Sequence, residues 1–203
     1  TYELAFLKAY EEKASQITAR DIALQWIGLV PMGWSAEEVA LRNIRYGIFP
    51  PESGSFCNPF REWIGAQMRG AVCGMVAPGN AKEAARLAWM DGSVSHASNG
   101  ILGEVFNAIL VSLSFVKRDI REILCETISM IPASSEYYHI IDLAYQAALT
   151  HEDWEDAWRV CETALREYNW IHAYPNAAAE VIALYYGNGD FDETMQIIAM
   201  AGQ

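Results

Sequence analysis

Helix-start signatures recur along the whole of this chain, and that punctuation is what most limits the folds open to it. Ser35 with Glu38 and Asn80 with Glu83 read as capping boxes, and Asp190 with Glu193 as a looser one. Thr18 and Thr150 are each followed three residues later by an aspartate, Asp21 and Asp153, where a helix N-terminus favours negative charge. Asn58 followed by Pro59 reads as an N-cap with proline at the first helical position, and Gly47 and Gly202 read as stops. Trp154, Trp158, Cys161, Leu165 and Tyr168 recur with helical spacing as one apolar stripe, as do Leu4, Leu7, Tyr10 and Ala14. No segment alternates apolar and polar residues with β-branched enrichment, so strands are not expected.

The rules place about eleven helices, over 2–14, 18–28, 35–46, 59–76, 81–91, 100–117, 119–130, 135–149, 151–168, 175–186 and 191–201. They imply an all-α fold without a repeat. The longest loop candidate is 45–60, with three prolines and two glycines. Apolar helices flank it closely, so it does not read as a linker.

A chain of 203 residues with 52% hydrophobic content has enough material for one sizeable core, so one domain over 1–203 is expected. A net charge of −12 argues against general affinity for nucleic acid or an anionic membrane. The apolar run 101–116 is broken by Glu104 and Asn107 and falls short of the ~20 residues that span a bilayer. The amphipathic, charged start does not resemble a signal peptide. Cys57, Cys73, Cys125 and Cys161 form no C-x-x-C pair and sit among apolar neighbours, as reduced buried thiols do. A cytoplasmic location follows as the expectation.

Four stretches carry candidate chemistry. The acids of 151–158 suit either a divalent-cation site or a helix N-terminus, and Trp154 and Trp158 favour the latter. Gly187 to Asp190 reads as a helix stop and restart rather than a calcium loop, which needs more ligands. Gly65, Gly70 and Gly74 interrupt an apolar stretch, a cost of about 1 kcal/mol each against alanine within a helix, and such glycines admit a neighbouring helix or a ligand. Arg69, in the same stretch, needs an anionic partner. The fourth stretch, 89–110, crowds Asp91, Ser93, Ser95, His96, Ser98 and Asn99 before an apolar helix. It reads as a capped polar turn, or as a pocket edge whose helix start suits phosphate or hydroxyl groups.

Several motifs in order give this chain a resemblance to the ADP-ribosylglycohydrolase family, of the dinitrogenase-reductase-activating glycohydrolase type. They are GAQMR at 65–69, PGN at 78–80, DGSVSH at 91–96, NGILGE at 99–104 and HAYPNAAAEVIALYYGNGDF at 172–191. The resemblance covers nearly the whole chain. It implies an all-α orthogonal bundle. It also implies a binuclear magnesium centre built from two acidic motifs, one before the first helix of this segment and one after the last. Neither acidic motif is present here, although Thr1 matches the last residue of the first. The segment therefore supplies no metal ligand, its catalytic residues are unknown, and it is expected to be inactive alone.

By the same resemblance, His96 would contact the ribose or a phosphate, with Asn99 beside it. Gly65 and Gln67 would border the ligand, and Arg69 would anchor the loop. Where some members carry a glycine-rich phosphate cradle, this chain reads EWI at 62–64. A ribosyl adduct related to ADP-ribose is therefore a candidate substrate beside ADP-ribose itself. The implied function is a magnesium-dependent hydrolase acting on the N-glycosidic bond of a small-molecule or ADP-ribosylated protein substrate. The alternative is a helical binding or scaffold module that has lost the metals. A third, lesser reading gives the acids of 151–158 a metal of their own.

Overall fold

The computed structural model describes residues 1–201, and Gly202, read above as a helix stop, lies outside them. The chain is all-α: the described residues form twelve α-helices and two short 3₁₀ turns and contain no strand. Two compact units are resolved within it, 1–112 and 113–203. No helix is long and apolar enough to cross a membrane.

The first unit holds α1 (Tyr2–Lys13), α2 (Ala19–Leu29), α3 (Ser35–Arg45), α4 (Glu52–Ser55), α5 (Ala71–Met75), α6 (Ala81–Gly92) and nearly all of α7 (Asn99–Ser114). The local signals succeed where the chemistry is local. Thr18 and Asp21 close a full reciprocal capping box on α2. The Asn80 side chain accepts the Glu83 N–H at 3.2 Å to start α6. Gly47 sits at φ +85°, a left-handed conformation that only glycine adopts freely. Helix α7 is buried nearly all round, as its predominantly apolar sequence requires.

Three expectations fail in this unit. Helix 59–76 does not form: a 3₁₀ turn at Gln67–Arg69 and the five-residue α5 replace it. The Asn58 Oδ1 accepts the Phe60 N–H at 3.2 Å as a cap would, but no helix follows, and its Nδ2 donates to the carbonyls of Ala36, Gly54 and Ser95 at 3.2, 3.0 and 2.9 Å. Ser35 makes no cap bond and adopts φ +45°, while Glu38 instead accepts the Gly33 N–H at 2.9 Å. On α1 the buried face is Ala5, Phe6 and Ala9, and Leu4 and Leu7 are exposed. The small alanines let α1 approach α2 closely, which the larger leucines would prevent.

The glycines of 65–74 serve packing. A Cβ on Gly70 would strike the Glu104 carbonyl, and one on Gly74 would meet the Ala108 carbonyl at 2.5 Å, so both admit the α7 backbone. Ser112 completes the seam, its hydroxyl donating to the Ala77 carbonyl at 2.6 Å.

The second unit contains α8 (Ile120–Met130), α9 (Glu136–Thr150), α10 (Trp154–Leu165), α11 (Ala173–Gly187) and α12 (Phe191–Ala201). Helix α11 is its centre and touches the other four. Its buried face is alanine-rich, which brings neighbouring axes close. Pro175 is accepted in its first turn, where no intrahelical N–H is needed. At its end Asn188 takes the left-handed cap, and Asp190 restarts the chain by accepting the Glu193 N–H at 2.9 Å. The stripe on α10 is buried at Cys161 and Leu165, but Tyr168 lies beyond the helix and is exposed. Cysteine burial divides likewise: Cys73 and Cys161 are buried, Cys57 and Cys125 are exposed, and all four are free.

Candidate functional site

The residues singled out from sequence meet in the first unit, where segment 62–69 lies along the 91–99 turn and the first half of α7. The turn is fastened from below by buried polar side chains. Ser53 donates to the Val94 carbonyl at 2.7 Å, and Asn58 holds the Ser95 carbonyl. Gly54 lies so close to the His96 backbone that no larger residue fits there.

His96 is 1% exposed. Its Nε2 receives the Ala66 N–H at 3.3 Å, and its Nδ1 is 2.7 Å from the Ser95 hydroxyl. Burial, reinforced by the Arg69 charge, pushes the imidazole well below its usual pKa despite an opposing contribution from the Trp63 backbone. The ring is therefore neutral at physiological pH, and protein groups engage both nitrogens. Gln67 is 3% exposed, its side chain packed at Gly103 and its carbonyl accepting the Asn107 amide at 2.9 Å. Gly65 lies against the Glu37 carboxylate. Asn99 is half-buried, and both its N–H and its side-chain amide donate to Glu62 Oε1 at 3.1 Å. His96 and Gln67 are thus buried, and Gly65 and Asn99 lie nearer the surface.

The centre of this region is Arg69. Its guanidinium is 3.2 Å from Glu37, 2.5 Å from Asp91 and 3.5 Å from Glu104, all with side chains at most 7% exposed. It also donates to the Ser95 hydroxyl at 2.9 Å and to the Asp91 carbonyl at 3.2 Å. The Tyr2 and Trp26 rings pack tilted at 44° with centroids 4.6 Å apart, and the guanidinium lies 5.8 and 5.4 Å from their ring centres. Burial opposes the Arg69 charge, but Asp91, Glu104 and Glu37 together outweigh it and raise its pKa.

One guanidinium cannot balance three carboxylates in a dry interior. Burial, aided by the neighbouring Asp91, raises the Glu104 pKa well above the usual carboxylate range. With both groups ionised, neither Glu104 oxygen nor Asp91 Oδ1 has a hydrogen-bond donor among the described residues. A proton on Glu104 directed at Asp91 supplies that donor. Burial also raises Glu37, against the pull of Arg69.

Arg69 was legible as an arginine needing an anion; its partners were not. Glu104 showed only as a break in an apolar run and Asp91 as one polar residue of the turn, and Glu37 carried no signal of its own. An acid alone in an otherwise apolar helix is the signal that could have paired Glu104 with Arg69.

The family model described as ADP-ribosylglycohydrolase matches residues 2–203, and the chain belongs to that family. Its function is accordingly of the glycohydrolase type. No curated protein and no solved structure matches the chain.

Proposed function

We propose that this chain is part of a hydrolase that cleaves the N-glycosidic bond of ADP-ribose or a related ribosyl adduct, carried by a small molecule or an ADP-ribosylated protein. The carrying observation is the convergence of Gly65, Gln67, His96 and Asn99 on one neighbourhood, within a chain the family model covers from end to end. In this reading these residues wall the ribosyl pocket. His96, neutral and held at both nitrogens, is part of the wall and does not serve as an acid. The Arg69 cluster fixes the turn that carries it. Four free cysteines support a cytoplasmic setting. The net charge of −12 disfavours nucleic acid as a partner.

The proposed cofactor is a binuclear magnesium centre. The described residues do not fit one. They contain no group of three or more metal-competent side chains, and the Glu37, Asp91 and Glu104 carboxyls are turned onto Arg69. The acids of 151–158 do not form such a group either. In this reading the magnesium ligands are not among the described residues. The same observation favours a second reading, a helical binding module without hydrolysis.

The test is release of ADP-ribose from an ADP-ribosylated protein, with and without Mg²⁺. The 203-residue chain and the chain carrying its encoded flanking residues are compared. The longer chain is expected to turn over with Mg²⁺ and the shorter to be inert. Turnover by the shorter chain would overturn its proposed inactivity; none by the longer would favour the binding module.

A further inference from the structure

Charge is divided unevenly along the chain. Residues 113–203 carry five lysines and arginines against fifteen aspartates and glutamates, so the second unit holds −10 of the net −12. Within that unit α10, the first half of α11 and the loop joining them line a cavity of about 160 Å³. Leu165 and Ala179, both buried, line it together with the half-buried Trp158. Tyr168 and Trp170, 39% and 74% exposed, carry the aromatic lining out to the surface.

The loop that presents Trp170 is firmly held. Asn176, which also lines the cavity, donates its Nδ2 to the Trp170 and His172 carbonyls at 2.7 and 2.9 Å. The Asn169 side chain accepts the Ile171 N–H at 2.9 Å, and its carbonyl accepts the His172 N–H at 2.8 Å. Tyr168 packs against His172 and Tyr174, with ring centres 5.0 Å from each. The fold thus fixes an indole that contributes little to the core, and a fixed, exposed aromatic ring beside a pocket is a strong contact for a partner.

The size and the lining decide what fits. Clefts that enclose a whole small ligand measure about 300–1,000 Å³, so this one takes a single side chain. Aromatic faces attract a cation, tryptophan most strongly, and the Glu162 carboxylate lies at the same cavity. Arg166, the other charged residue lining it, ends α10, where the negative end of the helix dipole and the adjacent Glu167 offset its charge.

We propose that this cavity is a docking site for a lysine or arginine side chain on a basic segment of a protein partner. The acidic second unit draws such a segment in, and Trp158, Tyr168 and Trp170 receive one of its cationic side chains. The site does not depend on the glycohydrolase reading.

The experiment follows tryptophan indole N–H signals of the isotope-labelled full chain during titration with a short capped glycine peptide carrying one lysine and one arginine. A second peptide carries acetyl-lysine and citrulline instead, which keep nearly the same shape without the charge. The charged peptide is expected to shift Trp158 and Trp170 saturably, and the neutral one to leave them in place. Trp170→Ala, a change at an exposed ring, is expected to weaken binding read at Trp158 at least about fivefold. Glu162→Gln is expected to weaken it about twofold. Equal binding of the two peptides would overturn the proposal, as would unchanged affinity in either variant or no saturable shift at all. So would shifts of the same size at Trp34 and Trp89, exposed indoles of the first unit, because the peptide would then adhere to any exposed ring. No turnover is measured, so failure of the glycohydrolase reading would leave the result standing.

Discussion

Replacing Glu104 by glutamine tests the buried proton directly. The side chain is fully buried, and its folded pKa lies well above the value of 4.5 expected for a free glutamate. The folded state therefore holds a proton that the unfolded chain releases. The stabilisation from that proton is fully present below the unfolded pKa and is lost as pH rises towards the folded one. The loss is about 1.4 kcal/mol per pH unit across that window. Glutamine has nearly the same shape and offers an N–H to Asp91 without titrating. The stability of Glu104→Gln minus that of wild type should therefore climb by about 1.4 kcal/mol per unit above pH 5. It should flatten where Glu104 ionises in the folded protein. Glu37, also raised, contributes to both proteins and largely cancels in the difference. Urea unfolding at half-unit steps from pH 5 to pH 8 supplies the curves. Parallel curves over that range would refute a protonated Glu104 and the charge argument built on it.

Two further changes probe the same region. Arg69→Met leaves three buried acids without their cation and should cost about 3–5 kcal/mol at pH 7 in urea unfolding; a loss below about 1 kcal/mol would mean the acids find other partners. Gly74→Ala pushes a methyl into the Ala108 carbonyl and should destabilise by about 1–3 kcal/mol, despite alanine's better helix propensity; a more stable variant would show that α5 and α7 are not in the close contact described.

What was legible in the sequence follows the range of the forces involved. Thr18, Asn80 and Asp190 cap helices through atoms two or three residues away, so their signatures are complete in a short window. Asn58 accepts the Phe60 N–H as a cap would, but its amide nitrogen is also claimed by the Ala36 and Ser95 carbonyls on distant segments, which no local rule can weigh. The buried face of α1 misled for a related reason: apolar spacing favoured Leu4 and Leu7, whereas close approach to α2 selected Ala5 and Ala9. The family resemblance singled out Gly65, Gln67, His96 and Asn99 as positions, and the structure places all four in the first unit. Their electrostatic character was not legible, because a turn sequence shows His96 without showing how deeply it is buried. Nor does the sequence show that Glu62 reaches the start of α7.

The Arg69 cluster also limits how this sequence can drift. Its four charged members come from α3, the 3₁₀ turn, α6 and α7, so each is a single codon far from the others. Losing the cation strands the acids, and losing Glu37 or Asp91 removes a charge with which Arg69 is paired. Of the single neutralisations, the one at Glu104 goes with the direction in which burial and Asp91 push that carboxyl. Descendants are therefore expected to keep Arg69, Glu37 and Asp91 together or to exchange the whole group for apolar side chains of matching volume.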